Sequence, residues 1–278
     1  MEELTVNEMR TCQLNILEYI DKVCKENHIE YSLIGGSLLG SIRHGGFIPW
    51  DDDIDVMFRR DEYNRFISLF TSELNSGNYE LWHYSKRETY QPFAKLYDNR
   101  TILGKSLDHM WTNIGVHVDI FPYDALPSKE NERILFMKHM QKRAEDLVST
   151  GFPAFVSGSK WYYVAARLFL RLPRFINYHG KNKEIASSYD NESQKYFNSD
   201  AEEMGFLASK YFEKEHFPRS IFSEYEDIKF ENLSVRKIKD HDTYLTQLFG
   251  NYMQLPPENK RITHDFYQWY WKDSNNGN

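Results

Sequence analysis

The chain has 278 residues, of which 41% are hydrophobic and 16% aromatic, so it can bury a sizeable core and is not a disordered polymer. Its net charge of −7 excludes a general nucleic-acid binder, because a phosphate backbone requires a basic surface. The N-terminus lacks the pattern of a signal peptide, and no apolar run has the length of a membrane span. Cys12 and Cys24 are too far apart on one predicted helix to form a disulfide with each other. We therefore expect a cytoplasmic protein with reduced thiols.

Hydrophobic periodicity predicts alternating helices and strands in the first half of the chain and mainly helices in the second half. Thr5 and Glu8 form a capping-box pattern at the start of the first helix. Pro122 is predicted to end a strand and Pro173 to end a helix. The predicted helices span 5–27, 37–42, 61–75, 129–149, 159–172, 181–197 and 240–249, and the predicted strands span 31–34, 53–58, 79–84, 92–97, 101–103, 116–121, 206–208 and 225–238.

The most informative stretch is Gly35–Phe58, which reads GGSLLGSIRHGGFIPWDDDIDVMF. In its first part, an apolar strand leads through Gly36 and Ser37 into a helix that Ser37 is predicted to cap. Such a turn can place backbone N–H groups and a hydroxyl around a phosphate. A simple helix cap is the alternative interpretation of this part alone.

The second part of this stretch carries four aspartates. Asp53 and Asp55 are predicted to project from the same face of a strand, about 6.6 Å apart, where they can hold one hard cation. Oxygen-only ligands favour Mg²⁺ or Mn²⁺ over zinc. Asp51 and Asp52 are turn residues or outer groups of the site. A solvated acidic turn is one alternative, and a calcium loop is another, although Val56 occupies the position that such a loop gives to glycine.

Asp119 is the best candidate for a third carboxylate. It lies in VHVDIFP, where Val118 and Ile120 predict a strand that turns the acid to the opposite face. Because a buried strand rarely carries an unpartnered acid, Asp119 is either a metal ligand or one half of a structural salt bridge. A phosphate-binding turn beside paired carboxylates is the arrangement that metal-assisted phosphoryl or nucleotidyl transfer requires. We therefore predict a catalytic metal site at Asp53, Asp55 and Asp119.

Further candidate substrate-binding residues flank this acidic centre. Side chains that can neutralise a diphosphate are Arg43, His44, Lys95 and Arg100, with surface solvation as the alternative for each. His264, in KRITHD, is a further candidate, with a structural role as its alternative. Aromatic side chains that can surround a quaternary ammonium group are Trp50, Trp82, Trp111 and Tyr97.

A basic segment stands out in this acidic chain. Residues 159–183 contain six lysines and arginines, no acidic residue and several interleaved aromatic residues. This composition suits contact with an anionic membrane or with a lipid-linked acceptor. An ordinary helix with a solvated basic face is the alternative.

The run GGSLLGSIRHGGFIPWDDDIDV resembles the signature of the LicD family of phosphotransferases, whose relatives include choline-phosphate transferases of bacterial surface glycans and, more distantly, fukutin-type proteins. The resemblance continues through PFAKLYDNRT, VHVDIFPYDALP and YLTQLFGNYMQLPPENKRITH, and it is thin between residues 125 and 225. It implies an α/β fold with an α+β mixed sheet of the nucleotidyltransferase type. The family's Gly-Ser, Asp-x-Asp and third acid match Gly36-Ser37, Asp53 with Asp55, and Asp119. His117 departs from the family pattern, which tends to have an apolar residue there.

The resemblance also implies an organisation and a reaction. We expect a catalytic core over residues 1–125 and a mainly helical lobe over 126–278 that completes the substrate cleft, with one continuous domain as the alternative. The implied donor is CDP-choline or a related CDP-alcohol, and the acceptor is a lipid-linked glycan of the teichoic acid or lipopolysaccharide type at the inner face of the membrane. Alternatives are a nucleotidyltransferase that moves a nucleoside monophosphate, and an inactive cation-binding scaffold.

Overall fold

The structure is a computed structural model that describes residues 1–71, 77–104, 113–152, 154, 161–261 and 267–272. Within these ranges, seven helices surround a mixed sheet, which confirms the predicted α/β class with an α+β mixed sheet. The helices are α1 Val6–Asn27, α2 Gly35–His44, α3 Arg60–Thr71, α4 Glu130–Val148, α5 Trp161–Tyr178, α6 Asn182–Ser193 and α7 His241–Phe249. The strands are β1 Glu2–Glu3, β2 Ser32–Leu33, β3 Asp55–Arg59, β4 Tyr79–Trp82, β5 Ala94–Asp98, β6 Thr101–Leu103, β7 His117–Leu126, β8 Glu203–Gly205, β9 Phe217–Pro218, β10 Tyr225–Phe230, β11 Leu233–Ile238 and β12 Trp269–Trp271.

The central sheet has the strand order β2-β3-β7-β5-β4, with β8 and β9 continuing beside the second half of β7. The β3–β7 pair is parallel, and the other pairs are antiparallel. One face is apolar and packs under α1 and α3, because alternate residues of each strand point to that side. Its buried side chains include Val56, Phe58, Ala94, Leu96, Val118 and Ile120.

Smaller elements complete the fold. The capping box at Thr5 and Glu8 is confirmed at the start of α1. The region predicted as a strand over 225–238 is instead a hairpin of β10 and β11, because Glu231 turns the chain with a φ of 54°. The β1, β12 and β6 strands form a separate sheet that joins the two ends of the chain. Among the helices of the described residues, none combines the length and apolar character needed to cross a membrane.

Pro122 does not end its strand, and this prediction was wrong. The Asp119 N–H donates to the Ile54 carbonyl at 2.9 Å on the β3 side. Backbone N–H groups alternate sides along a strand, so position 122, an odd number of residues later, faces the other side. There the pairing with β5 ends at Ile120 and the pairing with β8 begins at Asp124. Pro122 therefore lies between two partners, where its missing N–H removes no ladder hydrogen bond.

Pro173 does not end its helix either, because α5 continues through it to Tyr178. A proline inside a helix leaves the carbonyl four residues earlier, at Phe169, without its usual hydrogen bond. Phe169 is exposed, so water can bond to that carbonyl and the helix can continue. Among the other differences, β8 lies at 203–205 rather than 206–208, and α6 ends at Ser193 rather than at residue 197. The short strands β1, β9 and β12 were not predicted.

Arg60, the first residue of α3, is a buried cation that connects the sheet to the helical part of the chain. Its side chain is 2% exposed and donates to both carboxylate oxygens of Asp124 in β7, at 2.6 and 2.8 Å, and to Asp190 in α6 at 2.7 Å. β7 itself runs across residue 125, where a division of the chain was predicted. Ion pairs therefore tie the two parts of the chain together through the middle of the structure.

We predict that Arg60→Met lowers the free energy of unfolding by about 3–5 kcal/mol, because it leaves Asp124 buried without its cation. The measurement is urea denaturation at neutral pH. Arg59→Met is the matched control, since Arg59 pairs with Asp61 near the surface and should change stability by at most about 1 kcal/mol. Equal losses in the two variants would contradict a special contribution from the buried pairs.

Candidate active site

Three charged side chains stand in a row across the central sheet. The strand register pairs Asp55 of β3 with Asp119 of β7, and Asp119 with Lys95 of β5. Paired residues on neighbouring strands project from the same face, so these groups meet on the face that α1 and α3 leave open. The Lys95 ammonium contacts the Asp119 carboxylate directly. The structure thus brings Asp119 beside the stretch 35–58, and its role as a metal ligand stays a prediction.

A cavity of about 510 Å³ opens over this row. Its walls come from both halves of the chain, from Gln13 to Trp269. Five carboxylates and two ammonium groups line it, so negative charge is in excess. The carboxylates belong to Asp52, Asp53, Asp55, Asp119 and Glu215, and the ammonium groups belong to Lys95 and Lys210.

The turn before β3 concentrates acidic groups. Asp51, Asp52 and Asp53 each contribute a carboxylate oxygen, and these oxygens lie within 4.8 Å of one another. β3 begins at Asp55, so the prediction that Asp53 is already part of the strand was wrong. Gly36 allows this turn to pack closely, since a Cβ at Gly36 would lie 2.4 Å from Asp51 Oδ2. Asp51 thereby reaches the start of α2, where the helix dipole favours negative charge.

Burial and nearby negative charges both disfavour the ionised form of Asp55. Burial raises the pKa of the Asp55 carboxyl well above its usual value, and the charges of Asp53, Asp119 and Asp51 raise it further, while Lys95 opposes them. The ionised form of Asp55 is therefore disfavoured in the protein alone. An oxygen-only donor set with surplus negative charge fits a hard divalent cation such as Mg²⁺ or Mn²⁺, which would relieve this repulsion.

Two buried hydrogen bonds fix the acidic turn to its surroundings. Ser37 Oγ accepts the Asp55 N–H at 2.9 Å, and Gln13 Nε2 donates to the Asp52 carbonyl at 2.6 Å. The prediction that Ser37 caps α2 was wrong, because the helix already begins at Gly35 and has no side-chain cap. Ser37 instead holds the first residue of β3 in place.

His117 and Asp119 hold Lys95 between them. His117 Nδ1 lies 3.0 Å from the Gly115 carbonyl, which can only accept a hydrogen bond, so Nδ1 carries the proton. The Nε2 lone pair then faces the Lys95 ammonium at 3.1 Å. Burial and the charge of Lys95 lower the pKa of His117 to about 4, so the ring is neutral at neutral pH. The residue that departs from the family pattern is thus an acceptor for the lysine.

A second group of polar side chains, which no sequence pattern predicted, forms the opposite wall of the cavity. The buried Glu215 carboxylate accepts hydrogen bonds from the Tyr123 hydroxyl and from Ser209 Oγ, the latter at 2.8 Å. The Tyr244 hydroxyl lies 3.1 Å from that of Tyr123 and accepts the Gly35 N–H at 3.3 Å. Burial raises the pKa of Glu215. Because alternate residues of a strand share a face, Tyr123 could have been predicted to lie on the same side as Asp119. No sequence pattern indicated Glu215.

An aromatic wall adjoins these polar groups. The rings of Phe93, Phe121 and Phe206 contact one another. The centroid of Phe121 lies 4.5 Å from that of Phe93 and 5.0 Å from that of Phe206, and the centroids of Phe93 and Phe206 are 6.0 Å apart. Tyr211 lies in the same cavity, near Glu215 and the aspartates. The cavity therefore has an acidic side and an aromatic side.

The aromatic residues predicted to surround a quaternary ammonium group lie elsewhere. Trp50 packs against the Arg261 guanidinium, and Trp82 is buried beneath Arg87 at 3.9 Å. The Tyr97 hydroxyl bonds to Glu80. Trp111 lies outside the described residues.

Of the predicted cationic residues, Lys95 lines the cavity, whereas Arg43, His44 and Arg100 contact other parts of the protein. Arg43 donates to the Tyr252 carbonyl at 2.8 Å, and the His44 ring contacts that of Trp50. Arg100 forms a bidentate pair with Asp98, away from the cavity. The structure does not bring these three side chains into the cavity, because each is directed to another partner. His264 lies outside the described residues.

Comparison with known proteins relates the chain to enzymes that transfer phosphate-containing groups. The profile of the family described as LicD/FKTN/FKRP, nucleotidyltransferase domain, matches residues 28–149. The lipopolysaccharide cholinephosphotransferase LicD of Haemophilus influenzae is 31% identical over 274 residues, which are 97% of this chain and 99% of that protein. The human ribitol 5-phosphate transferase FKRP is 50% identical over 38 residues, which are 14% of this chain and 8% of that protein.

We predict that Ser37→Ala lowers the free energy of unfolding by about 1–3 kcal/mol and weakens binding of Mg²⁺, because the buried Asp55 N–H loses its acceptor. The measurement is the rise in melting temperature on adding Mg²⁺. Ser41→Ala is the control, since Ser41 is also buried in α2 but donates to the Lys229 carbonyl of the hairpin. Ser41→Ala should lose stability and keep the full Mg²⁺ response. An unchanged response in Ser37→Ala would contradict the positioning role.

Proposed function

The chain belongs to the LicD family of phosphotransferases, and we propose that it transfers phosphocholine from CDP-choline to a sugar hydroxyl of a cell-surface glycan precursor. The observation that carries this proposal is one cavity with a row of carboxylates on one side and a group of aromatic rings on the other. A donor whose diphosphate joins a nucleoside to an alcohol with a quaternary ammonium group requires both surfaces. The name of the Haemophilus relative supports choline as the alcohol and lipopolysaccharide as the acceptor type.

The proposed reaction breaks the phosphoanhydride bond of the donor and forms a phosphoester bond to the sugar. The sugar hydroxyl oxygen attacks the phosphorus that carries choline, and a new sugar O–P bond forms. The bond from that phosphorus to the bridging oxygen breaks, and CMP leaves with the electron pair. The hydroxyl proton passes to the carboxylate of Asp53 or Asp119, which acts as the general base.

Asp53, Asp55 and Asp119 are the residues that would hold Mg²⁺ or Mn²⁺ in this proposal. Their oxygen-only character and the raised pKa of Asp55 support a divalent cation at this edge of the cavity. When bound, the metal supplies Lewis-acid stabilisation of the negative charge on the transferring phosphate. Asp51 and Asp52 add negative charge close by and favour the same occupant.

Lys95 and Lys210 are the proposed partners of the diphosphate oxygens. Both line the cavity, and the Lys95 ammonium is fixed between Asp119 and His117. A preorganised positive charge stabilises the charge that develops on the leaving CMP without having to reorient during the reaction. Because Lys95 is shared between Asp119 and the substrate, it also connects the metal side of the cavity to the donor.

The aromatic side is the proposed choline site. A quaternary ammonium group cannot donate hydrogen bonds, so it is recognised by ring faces and by nearby negative charge. Phe93, Phe121 and Phe206 supply the rings, and Tyr211 with Glu215 lies beside them. The Lys95 ammonium lies 5.1 Å from the centre of the Phe93 ring, and this contact supports a role of the wall in contacting cations.

We predict that Asp55→Asn reduces CMP release from CDP-choline by at least about 10³-fold, because a neutral amide is a poor ligand for a divalent cation. In EDTA the variant should be at least as stable as the wild type, because removing the Asp55 charge relieves the repulsion that raises its pKa. The rise in melting temperature with Mg²⁺ should disappear. Asp227→Asn, at an exposed position of β10, is the control for both measurements.

A screen of CDP-alcohols with Mg²⁺ or Mn²⁺ tests the reaction itself, with CMP and the modified glycan as the measured products. Release of pyrophosphate from a nucleoside triphosphate would instead indicate a nucleotidyltransferase. Absence of turnover of every CDP-alcohol and nucleoside triphosphate would indicate an inactive scaffold. Full activity of Asp55→Asn would overturn the metal assignment while leaving the choice of donor open.

We predict that Phe206→Leu raises KM for CDP-choline by about tenfold and changes KM for CDP-glycerol by much less, because a glycerol group has no charge to place against a ring. Steady-state CMP release with both donors gives the two values. Phe197→Leu, at an exposed aromatic position, is the control and should change neither. An equal rise for both donors would show that Phe206 shapes the cavity without recognising choline.

A further inference from the structure

Helix α5 presents an apolar face away from the rest of the protein. Five of its large apolar side chains are exposed, among twelve such side chains in the described part of the chain. Tyr162, Phe169, Leu172 and Ile176 are spaced by seven, three and four residues, which places them on one side of the helix. Phe169 is 84% and Ile176 is 69% exposed. An exposed patch of this kind marks an interaction surface.

The opposite side of α5 contacts the protein through ion pairs of two arginines, and near its end Tyr178 packs against a buried apolar cluster that includes Leu147 and Ile185. Arg174 Nε lies 3.0 Å from Asp146 in α4, and its Nη1 also contacts Glu145. Arg171 lies 3.6 Å from Glu145. An amphipathic surface helix normally buries its apolar side and exposes its charges. In α5, the exposed side chains of Phe169, Leu172 and Ile176 instead face away from α4, where a partner outside the chain can contact them.

The charge of this region indicates which partner it is. Residues 159–183 carry six basic residues and no acidic one, in a chain of net charge −7. Lys181 and Lys183, just beyond α5, are exposed. Two copies of such a segment would repel each other, whereas an anionic surface attracts it. An apolar face flanked by basic residues matches an in-plane membrane helix.

We propose that α5 docks on an anionic phospholipid bilayer and lies in its surface plane. Tyr162, Phe169, Leu172 and Ile176 enter the boundary between headgroups and acyl chains. Lys181 and Lys183 contact the lipid phosphates. Arg171 and Arg174 stay bound to α4 and keep the apolar side directed outward.

The docked helix is connected to the cavity rim. Asn182, which begins α6 directly after α5, bonds to the Thr89 N–H at 3.1 Å and to the Thr89 carbonyl at 2.8 Å. Gln91, two residues later, lines the cavity. Docking would therefore bring the cavity to the membrane surface, where a lipid-linked glycan acceptor is available. This last step rests on the proposed function, but the docking surface does not.

The test is flotation of the full chain with vesicles of phosphatidylcholine containing about 30% phosphatidylglycerol, and with pure phosphatidylcholine vesicles. We expect binding to the anionic vesicles to be at least about tenfold stronger and to weaken at high salt. The double variant Phe169→Ser, Ile176→Ser should lose at least about tenfold in binding. Leu135→Ser is the matched control, because Leu135 is 68% exposed on α4 and lies outside this face. It should bind like the wild type.

Three results would overturn the proposal. The wild type could fail to float with anionic vesicles, or the double variant could float equally well. In analytical ultracentrifugation, a wild-type dimer that the double variant dissociates would show that a second copy covers the face. CMP release with a soluble sugar acceptor is measured in parallel. Flotation without CMP release would count against the proposed reaction alone, and CMP release without flotation would count against the docking surface alone.

Discussion

The register of β3, β7 and β5 is the constraint on which the site depends. It aligns Asp55, Asp119 and Lys95 across three strands and turns them to one face. The same alternation sends Val56, Val118 and Leu96 into the core beneath α1 and α3. A slip of one residue would bury the charged row and expose the apolar one, so the hydrophobic core selects the register that the site requires. The same strand register therefore determines both the stability of the sheet and the geometry of the site.

The fold maintains an arrangement of charges that is unfavourable by itself. Asp55 is buried and carboxylates crowd around it, and both effects raise the pKa of its carboxyl. Neighbouring groups hold the crowded acids in place: Ser37 binds the backbone of Asp55, and Gly36 leaves room for Asp51. Local repulsion of this kind persists only where the surrounding structure over-determines it, and such places are typical of functional sites.

Much of this arrangement could be predicted from the sequence, and the remainder depended on contacts between distant residues. The glycine turn, the acidic run and the alternation around Asp119 are local patterns, so they located the acidic side of the cavity. The aromatic side could not be found in this way, because Phe93, Phe121 and Phe206 meet only in the folded chain. Trp50, Trp82 and Tyr97 are near the motifs in sequence, yet their side chains pack against other partners. The two prolines misled the prediction for different reasons: Pro122 lies between two strand partners, and the carbonyl that Pro173 leaves without its helical hydrogen bond belongs to the exposed Phe169.

The hydrogen bond from Gly35 to Tyr244 joins residues 209 positions apart, and it has a consequence for how the protein is made. On the ribosome, the glycine turn and the aspartates emerge long before the segment that carries Glu215 and Tyr244. Contacts of such long range form late in folding, after local helices and hairpins. A nascent chain can therefore assemble the acidic edge of the sheet while the opposite wall is still being translated. The cavity is enclosed only after the segment that carries Tyr244 has emerged.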